Sequence, residues 1–126
     1  MLIKTGSTGP EVGIIQNNLK MLGYDPIFID CIFGERTENA VKKFQKFYSL
    51  TVDGVIGDDT GSKLIFPVKD IQTALNKHGF DLIVDGIARL NTVNALIDFQ
   101  KANNLLVDGI IGAETRNVLF PSVNKE

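Results

Sequence analysis

At 126 residues, with a hydrophobic fraction of 44%, a charged fraction of 22% and a net charge of −2, the chain has the composition of a soluble globular protein of one average domain or two very small ones. Acids and bases are mixed along it, so no face basic enough for a phosphate backbone is expected and nucleic acid is excluded as a partner. No apolar run approaches the roughly 18 residues of a membrane span, and the opening MLIKTGSTGPEV holds no stretch of signal-peptide type.

The first predicted element is a helix from Gly9-Pro10 to Gly23. Val12, Ile15, Leu19 and Leu22 fall on one stripe, Pro10 suits a first helical turn, and Gly23 suits an end. A second helix carries Ala40, Val41, Phe44, Phe47 and Tyr48 on one face. A third, short helix runs from Asp58 to Ile65, with Leu64 and Ile65 inward. The pattern then recurs with Val68, Ile71 and Leu75, with Ala95, Leu96 and Phe99, and with Val118 and Leu119. The fold class expected is all-α: two tandem three-helix modules, 1–66 and 67–126, joined by a short linker at Phe66-Pro67.

The recurrence is a tandem duplication. Residues 30–64 align without a gap on 85–119, and VGIIQNNLKMLGY (12–24) matches VKDIQTALNKHGF (68–80) one residue out of that register. Each copy carries one more acid than base. A unit of about 60 residues is near the lower limit for a free-standing core, so the two are expected to lean on one another.

Four turns share the pattern Asp-x-x-x-Gly-x-x-Thr: Asp30, Gly34, Thr37; Asp53, Gly57, Thr60; Asp85 and Thr92, with Arg89 in place of Gly; and Asp108, Gly112, Thr115. Each precedes a helix. The Asp and Thr side chains are expected to satisfy amides at the helix starts, and Asp-Gly to supply a positive φ. Ile32, Ile56, Ile87 and Ile111 are expected to plug the core. Gln45 and Gln100, each after a core Phe, are expected to bond a nearby loop backbone.

The order G-x-x-G-x-x-V-x-x-x-Q-x-x-L-x-x-L-G-Y, then D-x-x-F-G-x-x-T-x-x-A-V-x-x-F-Q, then L-x-V-D-G-x-x-G-x-x-T-x-x-x-L resembles the peptidoglycan-binding domain of bacterial and phage cell-wall hydrolases. In this chain it is carried by Gly6 through Leu64 and again, less completely, by Val68 through Leu119. The resemblance implies a noncatalytic module that binds peptidoglycan at the bacterial cell wall or outside the cell and tethers a hydrolase, with a covalently linked catalytic domain in the parent protein. Three departures stand out: Cys31 replaces the Gly after the first Asp, Ala88-Arg89 replace Phe33-Gly34, and the second copy lacks a Gly-rich lead-in.

No catalytic residue, cofactor or metal site is read from the chain. The single Cys and single His fall in different copies, Cys31 in a turn and His78 at a helix end, and the ligand clusters of zinc or calcium sites are missing. Candidate ligand contacts are Tyr24 and Phe80, at equivalent positions after the first helix of each copy, with Arg36 and Arg89 near the following turns to meet a stem-peptide carboxylate. The competing reading of Tyr24 and Phe80 is closure of the core. The competing function is a protein-interaction module of the same fold in a phage particle or spore coat.

Overall fold

The computed structural model describes residues 2–24 and 29–121. The described residues form five helices: α1 (Pro10–Met21), α2 (Glu35–Phe47), α3 (Asp58–Lys77), α4 (Leu90–Ala102) and α5 (Ala113–Leu119). Extended pairing among them is confined to two isolated antiparallel bridges, Ile3 with Ile56 and Thr8 with Ile32. The class is all-α, and most of each helical stripe read from the sequence is buried: Val12, Ile15 and Leu19 of α1, Ala40, Val41 and Phe44 of α2, and Ala95, Leu96 and Phe99 of α4 belong to one hydrophobic core that runs through both copies, whereas Phe47 and Ile65, expected to face inward with them, are 71% and 36% exposed.

The joint between the copies differs from the expected short helix and linker. α3 is one continuous helix of 20 residues with Pro67 inside it. Proline has no N–H to give to the Lys63 carbonyl four residues back, and its ring crowds that carbonyl. The helix continues because its buried stripe does: Leu64, Val68, Ile71 and Leu75 lie at i, i+4, i+7 and i+11, each at most 2% exposed. The core contacts on both sides of the proline outweigh the lost hydrogen bond.

Helix ends follow one rule. After α1, α2, α3 and α4 a single residue takes a left-handed conformation: Gly23, Ser49, Gly79 and Asn104. The next N–H then turns back onto the helix, Tyr24 to Leu19, Leu50 to Gln45, Phe80 to Leu75 and Leu105 to Gln100, at 2.8–3.3 Å. Acidic residues in the first turns of α1, α2, α3 and α5 and a basic residue in the last turn of every helix suit the helix dipole.

The copies are stitched together by α1. Asn18, 2% exposed, donates through Nδ2 to the carbonyls of Leu64 (3.3 Å) and Gly86 (2.8 Å). Its Oδ1 accepts the Ala88 N–H at 2.7 Å. The Ile111 N–H donates to the Met21 carbonyl at 2.7 Å. In the first copy the equivalent amides use the lead-in instead: Phe33 N–H donates to Ser7 and Ile56 N–H to Ile3, at 2.9 and 2.8 Å. The second copy has no lead-in, and α1 supplies the missing acceptors. Ala88 and Gly86 are small because the copies meet there. A Cβ on Gly86 would stand 2.8 Å from the Ile65 carbonyl oxygen.

Candidate functional site

Each helix that precedes an Asp turn carries one buried glutamine aimed at it: Gln16, Gln45, Gln72 and Gln100, none more than 1% exposed. The amide nitrogen of each donates three ways, to the Asp carboxylate, to a turn carbonyl and to the Thr hydroxyl. For Gln45 these are Asp53 at 2.9 Å, Val55 at 3.0 Å and Thr60 at 3.1 Å. Gln16 does the same to Asp30, Ile32 and Thr37, Gln72 to Asp85, Ile87 and Thr92, and Gln100 to Asp108, Ile110 and Thr115. The glutamine oxygen accepts turn amides in return, for instance Asp53 N–H and Gly54 N–H. Each Asp also accepts the N–H two residues on, from Ile32, Val55, Ile87 and Ile110. The sequence pointed to Gln45 and Gln100 as backbone binders; that they share one geometry with Gln16 and Gln72, and reach Asp and Thr, was not read there.

These bonds depress the carboxyl pKa at Asp30, Asp53 and Asp85. At Asp30 the Gln16 amide is the main cause, followed by the Ile32 N–H. At Asp53 the Val55 N–H leads, then Gln45. At Asp85 burial pushes the carboxyl up, and the Gln72 and Ile87 bonds with the Arg89 charge together outweigh it.

Two expectations for the turns change. The helix starts carry no side-chain cap; the N-cap positions are Gly34, Gly57, Arg89 and Gly112, and the Asp and Thr oxygens serve the glutamine and the turn instead. Those N-cap residues have extended backbone, with φ between −111° and −89°, which any residue adopts, so Arg89 fits where Gly stands elsewhere. The positive φ expected of Asp-Gly stands where it was expected, one step after the Asp at Gly54, Gly86 and Gly109, and Cys31 takes it in the remaining turn. Cys31 holds φ 62°, and its sulfur occupies the space a Cβ on Gly13 would need. Ile56, Ile87 and Ile111 stand between turn and helix; Ile56 and Ile111 are buried, whereas Ile32 is 55% exposed and Phe33 fills the core beside it.

A shallow groove opens at each turn. Arg36 lines the one before α2, about 240 Å³, with Asp30 and Glu35. Arg89 lines the one before α4, about 200 Å³, with Asp81, Ile83 and Asn91, and forms an ion pair with Asp85 at 3.6 Å. The groove before α3 is acidic, with Asp53, Asp58 and Asp59. The groove before α5 holds Leu106 and Glu114.

Tyr24 and Phe80 stand outside these grooves. Both pack partly buried against the core. The Tyr24 ring meets Phe44 edge-on at 5.4 Å and Phe47 at 6.4 Å, and Phe47 meets Tyr48 at 5.1 Å. That aromatic run leads into a further groove of about 330 Å³ at the joint between the copies, lined by Tyr48, Lys63, Phe66, Pro67, Asp70, Arg116 and Phe120. Burial, chiefly, raises the Tyr48 and Tyr24 phenol pKa values, and the Arg116 charge opposes it at both. No sign of this groove is legible in the sequence, because its lining comes from the end of α2, the middle of α3 and the end of α5.

Cys31 is partly buried ahead of α2. His78 ends α3, its ring edge-on to Phe99 at 4.9 Å. Among the described residues no group of three or more His, Cys, Asp or Glu side chains gathers to hold a metal ion, and no helix is long and apolar enough to cross a membrane.

The family described as "Putative peptidoglycan binding domain" matches residues 8–64 and again 67–119. The chain is 31% identical over 111 residues to the N-acetylmuramoyl-L-alanine amidase CwlM of Mycobacterium tuberculosis, covering 71% of this chain and 27% of that protein. It is 33% identical over 76 residues to a spore cortex-lytic enzyme of Bacillus cereus, covering 60% of this chain and 29% of the enzyme. Among solved structures, the SleB N-terminal domain superposes with a TM-score of 0.51 at 34% identity, covering 52% of this chain and 89% of that one. The chain thus spans less than a third of the two enzymes.

Proposed function

Because the chain belongs to the peptidoglycan-binding domain family, twice over, we propose that it binds bacterial cell-wall peptidoglycan without cleaving it and holds an associated wall hydrolase on its substrate. The observation that carries this reading is the family match across both copies, residues 8–64 and 67–119. The enzymes it resembles are several times longer than the match, which supports a catalytic domain linked to this chain in the parent protein and a site of action at the cell wall or outside the cell. The benefit of such a tether is effective concentration: a bound hydrolase meets nearby bonds repeatedly without diffusing back.

A noncatalytic role is supported by where the acids sit. Asp30, Asp53, Asp85 and Asp108 each accept a glutamine amide and a turn N–H. A carboxylate so engaged, and in three cases with a lowered pKa, is poorly placed to act as a general acid. The role we assign to these Asp residues and to Thr37, Thr60, Thr92 and Thr115 is to hold the turns. Arg36 and Arg89 are the proposed polar contacts of their two grooves. Tyr24 we assign to the aromatic surface beside the joint, and Phe80 to closing the core. The boundary we assign between the copies, 66/67, falls inside α3 and marks where the sequence repeat restarts; the last five residues, 122–126, lie outside the described ones.

The test is to incubate the chain with purified sacculi, pellet them, and assay both phases. The expected result is chain in the pellet and no new reducing or amine ends in the supernatant. Sustained release of wall fragments would overturn the noncatalytic reading, and chain remaining in the supernatant would overturn wall binding.

A further inference from the structure

We propose that the groove at the joint between the two copies is a seat for a stem peptide of the wall polymer, gripped by a free carboxylate; the inference rests on the wall-binding reading and gives it a second kind of contact. The groove combines an aromatic wall with paired charge. Tyr48, Phe66 and Phe120 supply the apolar surface, and Lys63, Asp70 and Arg116 the ionised groups. Phe66 is 57% exposed, a large aromatic held out on a helix at the mouth of a concavity rather than folded into the core. The Arg116 guanidinium lies 5.9 Å from the Phe120 ring centroid, which backs it on one side and leaves its fork for a ligand.

Two cations against one carboxylate leave a local excess of positive charge in a protein whose net charge is −2. That favours an anionic or zwitterionic ligand over a neutral glycan. Arginine pairs with carboxylates through two parallel hydrogen bonds. Asp70 can take an amine of the same ligand, and the rings can seat the methyl groups of alanine residues. A stem peptide carries all three features. At about 330 Å³ the groove is the size of a small-ligand site.

The duplication supplies independent support. Where the Gln, Asp and Thr of the clamp recur in every turn, the groove does not recur. Tyr48 corresponds to Asn103 in the other copy, Lys63 to Val118, and Arg116 to Gly61. The helix that carries Phe66 and Asp70 through the joint, α3, occurs once. The groove is a product of the fusion, and neither copy alone contains it.

The test uses the full chain, a soluble stem tetrapeptide with a free C-terminal carboxylate, the same peptide amidated at that end, and peptide-free glycan strands, with binding followed by calorimetry. The free peptide is expected to bind, and amidation to weaken it roughly tenfold, the loss expected for one charge-assisted pair. Arg116→Gln should weaken it by a similar factor and Phe66→Ala by less, with Arg116→Lys between Arg116→Gln and the parent. Both side chains are exposed, so melting temperatures should stay at the parent value. Lys43→Gln, on the exposed side of α2, serves as the control. Equal binding of free and amidated peptides, undiminished binding by Arg116→Gln, or binding of glycan strands in place of peptide would overturn the groove assignment. Retention of the chain on sacculi in that case leaves wall binding standing, whereas peptide binding without retention on sacculi would overturn the tether and leave the groove.

Discussion

The two copies reach the same turn geometry by different means. In the first, the lead-in at Ile3 and Ser7 accepts the N–H groups of Ile56 and Phe33. In the second, the Asn18 side chain and the Met21 carbonyl, both from α1, accept those of Ala88 and Ile111. The glutamine clamps repeat unchanged in both; the outer acceptors do not. A duplicated unit of this size can shed its own edge when its neighbour provides replacement hydrogen bonds, because a buried amide needs an acceptor and is indifferent to which residue offers it. The result is asymmetric: the second copy leans on the first for backbone partners, and the first has its own lead-in.

The largest single-residue effect on this asymmetry is expected at Asn18. Asn18→Ala leaves the Ala88 N–H and the Gly86 carbonyl without their partner and removes a second donor from the Leu64 carbonyl, at a cost of about 3 kcal/mol. Urea unfolding measures it. The twin position already holds Ala74, so Ala74→Gly should cost only about 1 kcal/mol, the helix-propensity difference. A loss at Asn18 no greater than at Ala74 would remove the stitch from the account.

Next are two glycines that follow equivalent aspartates in the second copy. Gly86 and Gly109 both have positive φ, 77° and 70°. A Cβ on Gly86 meets the Ile65 backbone oxygen at 2.8 Å, whereas one on Gly109 finds only side-chain carbons at 3.6 Å and beyond. Gly109→Ala is expected to cost about 1 kcal/mol for the left-handed conformation alone, and Gly86→Ala about 1 kcal/mol more because the copies must part. Equal melting temperatures for the two variants would mean that the close approach at the joint is loose.

Acid should act on both copies, through two aspartates in the first and one in the second. Asp30, Asp53 and Asp85 have lowered pKa values in the folded chain. Their contribution is therefore complete at neutral pH and is lost as the pH falls through and below the ordinary carboxylate range, near 4. A melting temperature that declines from pH 6 to pH 3, with a shallower decline in Asp30→Asn, is expected; a flat profile would contradict the clamp. The smallest effect is expected at Gly112→Ala, within about 0.5 kcal/mol of the parent, because the backbone there is extended and a Cβ meets nothing within 4 Å.

Much of this was legible in the sequence. The stripes of α1, α2 and α4, the end at Gly23 and the four Asp turns follow from periodicity and spacing. The continuity of α3 was obscured by Pro67, a strong local signal for a break, although Leu64, Val68, Ile71 and Leu75 already formed an unbroken stripe across it. The clamps were half visible, since Gln45 and Gln100 share a Phe-Gln pair while Gln16 and Gln72 lie in a different sequence context, 14 and 13 residues ahead of their aspartates rather than 8. Asn18 left a trace too, a polar residue on a buried face whose twin is Ala74. The joint groove left none, because its lining is brought together only by the packing of α2, α3 and α5.

The dependence of the second copy on the first is tested most directly by residues 58–126 alone, which keep α3 whole but lose α1 and with it Asn18 and Met21. Circular dichroism against temperature and urea is the measurement. The account predicts no cooperative transition for this fragment and a single cooperative one for the intact chain, which shares one core. A fragment that melts cooperatively within a few degrees of the intact chain would show that the second copy closes its own turns, and would contradict the account.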